Sequence, residues 1–337
     1  MMPVIRRSRG SSLQFFAIQP PFVSVFVRGV LLAPTVHPSS ELSRGELSLA
    51  RIVESNMLDD HPTESKDGIR ATRGIVFFFV AAFGITWLLQ LPAVLAMRGL
   101  ISGPVERLML LGGLGAFGPM LAAVLVSALE RGRAGARALF RPLRTWRVGA
   151  MWYVIALCLH GAIFITAMAL YTSVSGSDAG PWFYPPADSQ RIVAMLVFSI
   201  GEEVGWRGFA LPRLQRRYGS LNASLTIGVL WAFWHIPMFM LAGISLSLMP
   251  LMVLFLTAAS VVFTWIYNHT RGSLLLAVLA HMGAHLNNSH QALPANVTPV
   301  IIHTVAYVIV AMGLIFGDRR VWRARYSLSS TITPAQR

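Results

Sequence analysis

The chain has 337 residues, 55% of them hydrophobic and only 12% charged, with a formal net charge of +14. The charged fraction is about half that of soluble globular domains, which excludes a soluble enzyme and points to helices threaded through a bilayer. A single cysteine, Cys158, excludes an intrachain disulfide and a thiolate metal cluster; it reads as lipid-facing or core packing.

Residues 1–73 stand apart. The apolar stretch FFAIQPPFVSVFVRGVLLAPTV imitates a secretory signal but is interrupted by Pro20, Pro21 and Arg28. It is expected to be a poorly ordered extension, or the product of translation upstream of a start at Met57. From 38 to 73 the chain is polar and reads as a cytoplasmic lead-in.

Eight apolar stretches of spanning length follow, at about 74–97, 108–129, 150–171, 192–212, 221–241, 248–268, 272–291 and 297–317. Arginines concentrate in alternate connections. Arg131, Arg133, Arg137, Arg141, Arg144 and Arg147 fill one, Arg213, Arg216 and Arg217 the next, and Arg271 a third. With eight spans, every basic loop and both termini fall on the cytoplasmic side. The basic charge is therefore topology, and a nucleic-acid partner is excluded. The expected fold class is all-α, a polytopic integral membrane helix bundle. The domain is 74–317, with the chemistry in 192–291 and a basic cytoplasmic tail at 318–337.

Within the spans, acidic side chains lie deep at two positions only, Glu202 and Glu203. An ionisable residue at that depth is costly and marks a functional site with a partner nearby. Glu203 and Arg207 are four residues apart, share a helix face and pair. Glu202 is turned about 100° away and needs a partner from another span. His235 and His281 supply the chemistry, because each falls about 14–21 Å into its own span by the helical rise, as Glu202 does. Trp231 precedes His235 by four residues and His285 follows His281 by four; Asn287 and Asn288 come just after. His160 and His303 read as interhelical hydrogen bonds, and His269, beside Arg271, as a solvated loop residue.

The segments EEVGWR (202–207), WAFWH (231–235) and HMGAH (281–285) resemble, in that order, the EExxxR, FxxxH and HxxxN motifs of the CPBP family of intramembrane proteases. That family includes type II CAAX prenyl endopeptidases and bacterial Abi proteins. The resemblance implies a glutamate-dependent endopeptidase acting on a membrane-associated protein or peptide. Glu202 and His235 would activate water, and His281 and His285 would stabilise the oxyanion. Glu203, Arg207, Trp231 and Asn288 would support them. Trp231 stands where the family usually has Phe, and His285 where it usually has Asn.

Glu202, His235 and His281 are also the ligand types of a catalytic zinc site, although HExxH is absent. The metal-free mechanism is preferred, with no cofactor and zinc as the alternative. The expected location is the plasma membrane of a bacterial cell, with the lipid bilayer and a peptide substrate as partners. Two other classes compete. A non-catalytic immunity or scaffold protein would tolerate loss of Glu202 and His235. A proton-coupled transporter would show two related halves, and none are visible.

Overall fold

The computed structural model describes residues 66–176, 188–286 and 297–323. All regular structure in these residues is helical. Helix α1 spans Lys66–Met97, α2 Val105–Gly113, α3 Gly118–Ala138, α4 Ala150–Ser175 and α5 Ser189–Glu203. Then come α6 (Leu211–Trp234), α7 (Ile236–Leu241), α8 (Met249–His269), α9 (Leu274–Leu286), α10 (Val297–Gly317) and the short α11 (Arg319–Arg323). The expected extension before residue 66, the tail beyond 323, and Asn287 and Asn288 lie outside the described residues. Helix α1 begins at Lys66, ahead of the expected span start at 74.

Five helical stretches are long and apolar enough to cross a bilayer, namely Thr72–Met97, Val105–Arg144, Ala150–Ser175, Leu246–His269 and Val297–Gly317. The protein is an integral membrane helix bundle. The other three stretches expected to span are helical but broken or short. The 192–212 stretch divides, because α5 ends at Glu203 and residues Val204–Ala210 form a π-helical turn. The 221–241 stretch breaks after Trp234, where Pro237 sits in the first turn of α7 and cannot donate to the preceding helix. Helix α9 has 13 residues. In each case the chemistry-bearing residues lie at or near the interruption, and irregular backbone at membrane depth is tolerated where protein surrounds it.

The bundle is inverted relative to a soluble protein. Large apolar side chains such as Leu88, Leu110 and Val174 are at least three-quarters exposed, while Glu203 and Arg207 are fully buried. The closest helix pairs are α6 with α8, α4 with α9, and α1 with α3; α9 also packs on α5 and α8 on α10. Without a hydrophobic drive between helices in lipid, small residues and polar bridges set these approaches. Gly201 and Gly205 flank the two glutamates. A Cβ on Gly201 would lie 2.9 Å from Ala116 O, and one on Gly205 2.6 Å from Pro119 O, so only glycine lets α5 and its π turn touch the turn that leads into α3 and the first residues of that helix. A polar bridge supports the break at His235. Trp87 Nε1 donates to Trp234 O at 3.1 Å, and Trp234 Nε1 to Thr86 Oγ1 at 2.9 Å.

One expectation is corrected. His269 is the last residue of α8 and no solvated loop group. Its ring stacks on Trp152 at 5.1 Å, its Nδ1 meets Trp265 O at 3.0 Å, and its Nε2 lies 2.8 Å from Asp318 Oδ2. These aromatic and carboxylate partners take much of the place of water at the end of the helix. Cys158, by contrast, is exposed on α4, as lipid-facing packing requires.

Candidate active site

The three motif segments meet around Trp231. Glu202 is the penultimate residue of α5, 5% exposed, and its Oε2 accepts a 2.8 Å hydrogen bond from Trp231 Nε1. The partner that Glu202 lacks in its own helix is thus the indole of α6, and no histidine bond to it is recorded among the described residues. Glu203 ends α5. Its Oε1 accepts from Arg207 Nη1 at 2.9 Å and lies 2.9 Å from His281 Nδ1. Arg207 sits in the π turn, which widens the helix just where its side chain must turn inward; such turns recur at functional sites. Its Nη2 reaches Ser260 Oγ at 3.4 Å, and its guanidinium lies 5.0 Å from the ring centres of both Trp231 and Phe263. The cation is enclosed by one carboxylate, one hydroxyl and two aromatic faces.

His235 caps α6. Its Nδ1 lies 2.8 Å from Trp231 O, a carbonyl that can only accept, so Nδ1 carries the hydrogen and Nε2 is left as an acceptor. The ring is held between Phe239, stacked at 5.4 Å, and Trp234, edge-on at 4.7 Å. His281 of α9 stands edge-on to Trp231 at 5.3 Å. Its Nδ1 faces a carboxylate oxygen already paired with Arg207, so here too Nδ1 donates and Nε2 accepts. His285 stacks on His281 at 4.9 Å.

His235, His281, His285 and Trp231 line a cavity of about 300 Å³ whose remaining wall is mostly apolar. Glu202 and Glu203 stand behind this wall, one bonded to the indole and the other to an imidazole. The cavity also takes in His160 and Tyr307, which the motif segments do not contain. His160 makes the interhelical hydrogen bond expected of it, with Nδ1 2.9 Å from Tyr307 Oη. Tyr307 went unnoticed in the sequence because it lies in a uniformly apolar span and carries no charge.

The zinc alternative would need Glu202, His235 and His281 to converge. Among the described residues no group of three His, Cys, Asp or Glu side chains converges to hold a metal. Glu202 and His281 are engaged by Trp231 and Glu203, respectively.

Residues 189–287 match the family model described as type II CAAX prenyl endopeptidase Rce1-like. They contain all three motif segments. This stretch is similar to the CPBP/Rce1-like family. A curated relative agrees: a protein of Methanococcus maripaludis named CAAX prenyl protease 2 is 23% identical over 267 residues, covering 73% of this chain and 94% of its own. The CPBP/Rce1-like family is one of membrane-embedded proteases. Its matched segment begins at the start of α5 and ends just past α9, so it encloses the Trp231 cluster and leaves out His160 and Tyr307.

Proposed function

We propose that the chain is an intramembrane endopeptidase that cleaves a membrane-associated protein or peptide by activating water with Glu202 and His235. The observation that carries this reading is the convergence of three separate helical segments on Trp231, whose side chain also lines a partly open cavity inside a lipid-facing bundle. A water admitted from the cavity past Trp231 would meet two acceptors, the Glu202 carboxylate and His235 Nε2. A positioned base of either type contributes about 10²–10⁴-fold to such a reaction. As water attacks the scissile carbonyl, its proton passes to this pair and the carbonyl oxygen gains charge. His285, on the same cavity wall, would donate to that oxygen. His281 becomes a donor at Nε2 once it carries a second proton, with Glu203 already in place as its counter-ion. Preorganised donors of this kind are often the largest catalytic contribution. Arg207 holds Glu203, and Glu203 fixes the His281 ring, so these two act by positioning.

The name of the archaeal relative makes an isoprenylated C-terminal CAAX peptide the first substrate to try; a leader peptide or bacteriocin precursor is the next. The test compares membrane-protein termini in cells carrying the wild-type chain and the Glu202→Ala variant at matched expression, in parallel with cleavage of a farnesylated CAAX peptide by purified protein. New termini that depend on Glu202 and on His235 support the reading. Identical termini and no cleavage would instead favour a non-catalytic membrane role.

A further inference from the structure

The cavity has a second polar wall, built from helices that the motif segments do not reach. His160 of α4 and Tyr307 of α10 both line it, and both lie outside the matched segment 189–287. His160 is 6% exposed and Tyr307 fully buried. Their 2.9 Å contact leaves a choice of donor. If His160 Nδ1 donated, the phenol hydrogen and the bare Nε2 would both lack partners. If Tyr307 donates, the phenol is satisfied and His160 carries its hydrogen on Nε2. The second arrangement leaves one unmet group in place of two, and unmet buried polar groups are costly. That one group is His160 Nε2, which is buried with no hydrogen-bond partner in the protein. The ring cannot swing away to find one, because His303 packs edge-on at 5.3 Å and Phe255 at 6.4 Å.

A residue on the cavity wall whose N–H has no acceptor in the protein is one that an acceptor on an entering molecule would satisfy. We propose that His160, oriented by Tyr307, is a substrate-binding residue that donates Nε2–H to a main-chain carbonyl of the peptide in this cavity. An isoprenoid or acyl chain has no acceptor to offer, whereas an extended peptide presents one at every residue. The site rests on the peptidase reading for the identity of the ligand, but its role is in binding and not in the chemical step. Tyr307 acts through His160 as a positioning residue.

The test uses the full chain in detergent carrying Glu202→Gln, so that the probe is not consumed. The probe is a fluorescein-labelled, farnesylated CAAX peptide, and its binding is read by anisotropy. One neutral hydrogen bond corresponds to about a threefold to tenfold change in affinity. His160→Leu and Tyr307→Phe are expected to weaken binding by that factor. His160→Gln, which restores an N–H donor, recovers most of it. In the chain with Glu202 intact, the same change appears in KM while kcat stays within twofold. A purely structural role for the pair would lower thermal stability and kcat together without the rescue by glutamine. Failure of the peptide to bind, or binding that His160→Leu leaves within twofold, overturns the inference. A peptide that binds with the expected pattern but is not cut retires the peptidase reading and leaves this site standing.

Discussion

Trp231 Nε1 donates a 2.8 Å hydrogen bond to Glu202 Oε2, and the same indole presents its face to Arg207 and its edge to His281. A phenylalanine, the usual residue at this position in CPBP proteins, could keep the face and edge contacts but not the donor. Hydrogen bonds to a charged group are worth about 1.5–3 kcal/mol, a factor of about ten to a hundred. Trp231→Phe should therefore lower kcat for peptide cleavage by about that factor, and lower the unfolding temperature too, since it strands a buried carboxylate. Steady-state kinetics on a cleaved peptide measures it; an unaltered kcat would show that Glu202 needs no help from the indole.

The adjacent glutamates should separate cleanly. Glu202 is bonded to a neutral indole, whereas Glu203 is the counter-ion of a fully buried Arg207 and the partner of His281. Glu202→Gln is expected to abolish cleavage while the chain unfolds at about the wild-type temperature. Glu203→Gln strands a buried guanidinium, and breaking such a pair costs about 3–5 kcal/mol. Its thermal transition in detergent should drop markedly along with activity. Equal stability of the two variants would contradict the division into a reactive and a positioning carboxylate.

Gly205 tests whether the π turn must touch α3. An added Cβ would lie 2.6 Å from both the carbonyl carbon and oxygen of Pro119, and backbone cannot yield as a side-chain tip does. Overpacking of this kind costs about 1–3 kcal/mol. Gly205→Ala should lower both the unfolding temperature and activity, since the displaced turn carries Arg207. Gly313, where a Cβ meets nothing within 4 Å, serves as the control, and Gly313→Ala should behave as wild type.

The division between what the residues announced and what they hid follows from charge. Glu202, Glu203 and Arg207 are conspicuous because ionisable groups are rare in apolar spans, and the i, i+4 spacing correctly paired Glu203 with Arg207. Which carboxylate meets which ring was not legible. Depth along a helix places residues at one level but says nothing of rotation, and it is Glu203, not Glu202, that His281 contacts. The π turn was hidden as well, since VGWRGFA continues an ordinary helical pattern. Its fit involves the backbone of Ala116 and Pro119 lying against Gly201 and Gly205, a tertiary effect. Tyr307 and the open nitrogen of His160 belong to the same class, because a neutral side chain becomes informative only once its neighbours are known. The breaks within the expected spans were hidden for a related reason. Hydropathy averages over breaks such as the one between Trp234 and Pro237, where the structure places His235.

Metal dependence gives the last discrimination. A zinc site built from Glu202, His235 and His281 would need all three to turn their donors to one point. Here the Glu202 carboxylate faces Trp231 Nε1, His281 Nδ1 faces Glu203, and His235 Nδ1 faces Trp231 O. The other ring nitrogens of His235 and His281 belong to rings that border the cavity. Activity purified away from metal should thus survive prolonged dialysis against 1,10-phenanthroline, with kcat unchanged. The zinc content of the protein should also fall well below one ion per chain and should not track activity across preparations. If chelation abolishes cleavage and zinc restores it, the two carboxylate contacts must rearrange on loading. Trp231→Phe, which frees Glu202, would then raise zinc affinity and not merely slow the reaction.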